Sequence, residues 1–369
     1  MGAADRSGAT DGLLYGVRVL DLSIWRPGPY ATQLLADLGA DVIKVEPPGG
    51  DPMRAFPELF ATLNGNKRSV VLNLHEPDDR AHAHALVRET DAVVEGFRPG
   101  VAARLGMGEA ELRAIHPSVV YCSVSGYGQT GPLAPVPGHD LNYQAYAAVL
   151  TPDGGDPVEG RVPIADLAGG LAAAMGVCAA LVGRARTGEG EHVDVAMADV
   201  LATWTGPIGR LALAGGRGET LGRLASYGSF RTADGSWITL GVISEQHFWA
   251  RVCDGLGLDD LRDLDLMQRR QRADEITPRL TAAIAARPRD ELLDLLGPNA
   301  PVAPALTRDE MLHHPQFVAR GLVGGSTPDG YPYMGYPVHF GQRAARPPGR
   351  APELGEHHDQ GFAPRPHRG

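Results

Sequence analysis

The order of apolar and polar positions in the first half of the chain is that of alternating strands and helices. GVRVLDLS (Gly16–Ser23) is a short apolar run with β-branched bias, the pattern of a strand buried on both faces. The turn RPGP follows, and YATQLLADLGA then spaces its apolar residues as a helix does before closing on glycine. DVIKVEPP reads as a second strand. Strand, helix and strand within roughly thirty residues make a βαβ unit, which implies a parallel sheet with a right-handed crossover. RSVVLNL (Arg68–Leu74) and DAVVEGF (Asp91–Phe97) are two more strands, with a helix over PDDRAHAHALVRE between them, and SVVYCSVSGYG is a fifth. This half is therefore expected to be an open α/β domain.

From Leu167 to Trp204 the pattern is helical, interrupted by RTGEGEHVDVAMAD. The apolar run Leu167–Gly183 is rich in Gly and Ala and closes on Arg184 and Arg186. It is short for a membrane span and reads as a core helix. LAGGRGETLGRLAS has linker composition. YGSFRTADGSWITLGVI is a hairpin of two alternating runs joined at ADG, and SEQHFWARVCDGLGL and RADEITPRLTAAIAARPRDELLDLLG supply helices. The C-terminal stretch, rich in Pro, Gly, Arg and His, reads as an extended arm. The expected organisation is a large domain over 1–205, a linker over 206–226 and a small α+β domain over 227–300. A return segment and arm over 301–369 would pack on the large domain. No internal repeat is present.

Composition narrows the function classes. With 34 Lys and Arg against 44 Asp and Glu, the formal net charge is −10. That argues against a nucleic-acid partner, whose phosphates demand excess cations, but leaves room for a phosphorylated small ligand held by a few arginines. Cys122, Cys178 and Cys253 form no CxxC pair and are expected to be small hydrophobes rather than disulfides or metal ligands. The polar start MGAADRSGATDG lacks an apolar signal core, so the cytoplasm is the expected location. After the first strand RPGPY stands where a dinucleotide fold would carry GxGxxG, which speaks against a nicotinamide cofactor. The pairs His313–His314 and His357–His358 lack ligand partners at useful spacing and read as solvated histidines.

His139 and Asp140 stand side by side in PVPGHDLNYQA. Two readings of this stretch are open: a loop entering a helix with Asp140 as a cap, or a proton-transfer site. Asp166, in VPIADLAGG, is equally compatible with a helix cap and a catalytic carboxylate. Arg98, beyond a strand and before Pro99, sits where a parallel sheet presents its ligand edge; pairing with Glu95 is the alternative.

GVRVLDLSIWRPGPYATQLLADLGADVIKVEPPGGDPMR, NGNKRSVVLNL, VVEGFRPGVAARLGMG, YCSVSGYGQTGPLAPVPGHDLNY, TGEGEHVDVAMADV and VISEQHFW occur in that order. This succession, running to the tail phrase LGEHHDQ, resembles the class III CoA-transferase family (CaiB/BaiF type), closest to its 2-methylacyl-CoA racemase branch. The resemblance implies a Rossmann-like large domain, a smaller α+β domain and an interlocked homodimer. It implies an acyl-CoA substrate, with coenzyme A entering as part of that substrate, no tightly bound cofactor and no metal. By resemblance Leu72, Asn73, Leu74, His75, Gly96, Phe97, Arg98 and Arg104 line the CoA groove, and Gly138 and Tyr143 bind the CoA substrate with them. His139 and Asp166 would then face opposite sides of the α-carbon, with Glu245 (or Ser244, depending on which end of SEQHFW sets the match) as carboxylate partner of the histidine. Asp140 would be a supporting carboxylate or a cap.

The chemistry implied is inversion of a 2-methylacyl thioester through an enolate, by a base on one face and an acid on the other. In the transferase branch the aspartate at the Asp166 position is instead the nucleophile that carries CoA between acids. A histidine in GHDLNY and the lack of a run of four glycines favour proton transfer, while SEQHFW departs from the racemase phrase. A non-catalytic acyl-CoA binder is the remaining alternative, and the three candidate acid–base groups speak against it.

Overall fold

The computed structural model describes residues 12–150, 156–213, 224–297, 299–323, 325–328, 330–347 and 349–365. Among them the chain forms two compact units, one up to Pro207 joined by Ala319 onward, the other Ile208–Val318.

In the larger unit, six strands form one parallel sheet: β1 (Arg18–Leu22), β2 (Asp41–Glu46), β3 (Arg68–Val71), β4 (Ala92–Glu95), β5 (Val120–Ser125) and β6 (His192–Ala196), in the order β3-β2-β1-β4-β5-β6. The register pairs Leu20 with Ile43 on one side and with Val93 on the other. The helices are α1 (Pro27–Asp37), α2 (Pro57–Asn64), α3 (Pro77–Val87), α4 (Val101–Arg104), α5 (Glu109–Ile115), α6 (Asp140–Tyr146), α7 (Ile164–Thr187) and α8 (Met197–Leu213). Because successive strand residues point to opposite faces, the apolar runs feed two cores. Val19, Val42, Val94 and Cys122 pack with Leu35 of α1 and Val177 of α7. Leu20, Ile43, Val70 and Val93 pack on the other face with Leu86 of α3 and Leu112 of α5.

β6 is the element the sequence pattern hides. HVDVA sits at the sheet edge, where its first three residues are half-buried or exposed, so it carries polar positions that a central strand would not. α7 is, among the described residues, the one helix long and apolar enough to cross a membrane. It packs against α1, β5 and β6, which accounts for its small apolar residues. The expected linker over 206–226 begins instead as helix, since α8 runs to Leu213; residues 214–223 of it lie outside the described residues.

The smaller unit has an antiparallel sheet of β7 (Tyr227–Arg231), β8 (Trp237–Gly241) and β9 (Val302–Pro304), with α9 (Gln246–Leu256), α10 (Leu266–Gln271), α11 (Ala273–Ala285) and α12 (Arg289–Leu296). The hairpin read from alternation is β7–β8. Its core centres on Trp249, whose Nε1 donates to Leu261 O at 2.7 Å while the Arg269 guanidinium lies over its ring.

The returning segment packs on the larger unit, and it corrects one expectation. His357 is not a solvated tail histidine: its N–H donates to Ser69 O at 2.9 Å, and its Nδ1 accepts from Ser69 N–H. The segment thereby docks beside β3, and Phe362 enters the core below Arg18 and Arg68.

Candidate active site

The strand order reverses between β1 and β4, both neighbours being parallel to β1. In an open parallel sheet the chain leaves adjacent strands in opposite directions at such a point, and a crevice opens beyond their carboxyl ends. A cleft of about 650 Å³ lies there. Ile24, Trp25 and Pro27 wall it from the end of β1, Gly96, Phe97 and Arg98 from the end of β4, and Ser125, Gly126 and Tyr127 from the end of β5. Gly138, His139, Tyr143 and Asp166 close it from α6 and α7. Gly126 is needed here, because a Cβ would stand 2.2 Å from the Tyr143 ring.

The turn from β1 into α1 is held from beneath by a buried ionic cluster. Lys44 Nζ donates to Ser23 O at 2.7 Å and pairs with Asp51 at 2.9 Å. Lys67 Nζ donates to Pro29 O at 2.9 Å and to Thr32, and pairs with Asp21 at 3.1 Å. Asp21 also accepts from Ser23 and Thr32. Burial opposes its charge, but the Lys67 and Lys44 ammoniums and these hydroxyls hold its carboxyl well below the usual range. Burial lowers the Lys67 ammonium to about 8, against the attraction of Asp21. Trp25, with φ of 64°, takes up a left-handed backbone that a non-glycine residue rarely adopts, and its N–H is held by Asp51 Oδ1 at 3.2 Å. A strained residue kept in place at a cleft wall is the mark of a site whose geometry is enforced from outside.

Asp140 resolves one of the two open readings. It is the first residue of α6, yet its Oδ1 accepts from the N–H groups of Ala165 and Asp166, at 2.7 and 3.1 Å, in the first turn of α7. It therefore caps a different helix from its own and fixes the backbone that carries Asp166. Burial, then repulsion from Asp140, push the Asp166 carboxyl up to about 6, against the pull of Arg26, whose Nε stands 4.0 Å away. A carboxyl near 6 is able to give or take a proton close to neutrality. His139 precedes α6, its backbone N–H held by Asn142 Oδ1 at 3.0 Å, and its side chain borders the same cleft. Tyr143 OH donates to Gly138 O, which anchors the loop that presents the histidine.

A smaller cleft of about 210 Å³ adjoins, sharing Ile24 and Phe97 with the first. Leu72, Asn73, Leu74 and His75 line it beside β3. Leu72 to His75 and Gly96 to Arg98 thus fall along one strand-end edge. Arg104 is exposed on α4 and borders neither cleft, whereas its neighbour Leu105 does. Glu245 and Ser244 stand in the other compact unit, Glu245 ahead of α9 with its carboxylate accepting from Ile243 N–H at 3.0 Å. Arg98 is exposed at the cleft; Glu95 is buried, its carboxylate accepting from Phe97 N–H at 2.7 Å, and the two form no ion pair among the described residues. The sequence pattern did not single out Trp25 or Arg26, and offered Glu95 only as a partner for Arg98. The RPGP turn was the available signal for the first two, since a rigid turn at the end of a first strand is where an α/β sheet builds its ligand site. No group of His, Cys, Asp and Glu suited to a metal occurs among the described residues.

Three comparisons bear on this geometry. The family profile described as CoA-transferase family III matches residues 14–358. The acetyl-CoA:oxalate CoA-transferase of Acetobacter aceti is 34% identical over 345 residues, 87% of this chain and 86% of that protein. The alpha-methylacyl-CoA racemase of Homo sapiens is 32% identical over 370 residues, 94% of this chain and 92% of that protein. The crystal structure of a CAIB/BAIF family protein from Brucella suis superposes with a TM-score of 0.84 at 30% identity, covering 95% of this chain and 98% of that one. With the parallel six-stranded sheet, the separate small sheet and a match over nearly its whole length, the chain belongs to CoA-transferase family III.

Proposed function

We propose that the chain inverts the α-carbon of a 2-methylacyl-CoA thioester by proton transfer through an enolate, with His139 and Asp166 as the two acid–base groups. The observation that carries this reading is the pairing, in one cleft, of a histidine with a carboxyl whose pKa stands at about 6. The Asp166 carboxyl is able to hold or release a proton near neutral pH, and 1,1-proton transfer requires an acid–base group on each face of the α-carbon. One group removes the α-proton, the thioester oxygen takes up the charge as an enolate, and the other group returns a proton to the opposite face. Arg98 and the edge from Leu72 to His75 hold the CoA portion, and coenzyme A enters and leaves with the substrate. Asp140 positions Asp166 through its backbone.

A second reading is supported by the names of relatives, among them the oxalate enzyme above: transfer of CoA between acids with Asp166 as nucleophile. Incubation with a 2-methylacyl-CoA in heavy water, with no acceptor acid, separates the two. Deuterium gain with loss of stereochemical purity, abolished by His139→Ala while CoA affinity changes less than about threefold, is the expected result. CoA transfer to an added acid without exchange would establish the nucleophile instead. We also infer that the enzyme works in the cytoplasm as an interlocked homodimer; the uncovered apolar side chains of α7 support association of the chain with a partner.

A further inference from the structure

Behind Asp166, away from the CoA clefts, lies a second cavity of about 430 Å³ in the larger unit. α1, α2, the first turn of α7 and the returning segment wall it. Four tyrosines, Tyr30, Tyr331, Tyr333 and Tyr336, line it together with Leu34 and Leu167. Its volume is within the range of about 300–1,000 Å³ usual for small-molecule sites. Aromatic walls of this kind receive a ring edge-to-face or offset-stacked.

The charge in this cavity is what selects a ligand. Arg26 lines it, its side chain only 25% exposed. Among the described residues the guanidinium has one ion-pair contact, Asp166 at 4.0 Å, and no hydrogen bond. A guanidinium is a planar fork of five donors suited to a carboxylate, and one left without hydrogen bonds at the wall of an apolar cavity is poised for an incoming acid. At the other end Asp37 lies against Gln33, which donates to it at 2.7 Å. Burial raises the Asp37 carboxyl to about 6, so this end carries little negative charge in mildly acidic solution and does not repel an acid there.

We propose that this cavity binds a small free carboxylic acid with a ring-bearing apolar body, its carboxylate on Arg26 and its ring among the four tyrosines. The site is separate from the CoA clefts, and neither the racemase nor the transferase reading is needed for it. Occupancy takes the Arg26 guanidinium away from Asp166, so the acid alters the surroundings of that carboxyl without touching CoA.

Calorimetric titration of the full chain with 3-phenylpropanoate at about pH 5.5, below the Asp37 carboxyl's value of about 6, tests this. Binding is expected, unchanged by saturating coenzyme A, and at least tenfold weaker for 3-phenylpropanamide, which keeps the ring and loses the charge. Arg26→Gln is expected to weaken the acid at least tenfold, as is Thr62→Trp, which places an indole in the cavity from the exposed face of α2. No binding to the wild type, equal affinity for acid and amide, or displacement of the acid by coenzyme A would each overturn the proposal. The acid–amide comparison uses the unaltered protein, so it decides the matter even where a variant fails to fold.

Discussion

Glu95 and Asp166 show how burial sets the working charge of single residues beside the cleft. Burial raises the Glu95 carboxyl to about 7 from an ordinary 4.5, with Asp194 adding repulsion and hydrogen bonds from Ser123 and Phe97 N–H opposing. The native state therefore binds this proton more tightly than the unfolded chain does. Its contribution to stability is full below about 4.5 and is lost as the pH rises through about 7. Glu95→Gln keeps an acceptor for Phe97 N–H and removes the buried charge. It is expected to stabilise the protein at pH 8, on the order of 2–3 kcal/mol, and to change little at pH 4.5. Urea denaturation at the two pH values measures this; equal effects at both would mean that the native carboxyl titrates where the unfolded one does and is not raised by burial. Asp140 acts by a different route, as the cap of α7. Asp140→Ala is expected to cost about 1 kcal/mol in thermal unfolding and to shift the acidic limb of the exchange rate downward, since the like charge beside Asp166 is gone.

At the scale of elements, the contact between α1 and α7 decides whether Arg26 and Asp166 meet. Gly170 makes it possible: a Cβ there would stand 2.6 Å from Pro27 O and 2.9 Å from a Tyr30 ring carbon. The Tyr30 ring has a cavity to move into, but the Pro27 carbonyl is backbone, in a turn tied through Pro29 O to Lys67. Gly170→Ala is expected to destabilise by about 1–3 kcal/mol and to slow α-proton exchange by more than tenfold. Gly183, further along the same helix, has nothing within 4 Å of its Cβ. Gly183→Ala should leave exchange unchanged and raise stability by up to about 1 kcal/mol, the ordinary gain in helix propensity. Melting temperatures of the pair, with exchange rates, separate steric crowding from propensity.

For the molecule as a whole, α7 raises the question of what covers its outer side. Leu171, Met175 and Val182, spaced so as to share a face, are 57%, 69% and 62% exposed. An exposed apolar stripe of this length marks an association surface more often than open solvent. The homodimer proposal predicts twice the chain mass in sedimentation equilibrium, and a shift toward the single-chain mass on Met175→Glu. A wild-type chain that sediments as a monomer would remove that proposal and leave the stripe unexplained.

Local pattern carried most of the architecture. The runs at Arg18, Asp41, Ala92 and Val120 were legible as strands because central strands of a parallel sheet are apolar on both faces and end in recognisable turns. The run at Arg68, at the edge opposite β6, is covered by the returning segment at His357 and keeps the same apolar pattern. The edge strand β6 was not legible, because an edge tolerates the polar positions that disguise HVDVA as a break between helices. The order of phrases in the chain sufficed for the family and for naming His139, Asp140 and Asp166. What tertiary structure alone decided is who meets whom: Asp140 capping α7 rather than its own helix, Arg26 reaching Asp166, His357 docking on β3, and Phe362 entering the core. Each depends on which strand ends become neighbours. That follows from the pairing of segments far apart in sequence, where periodicity and turn chemistry, both local, carry no information.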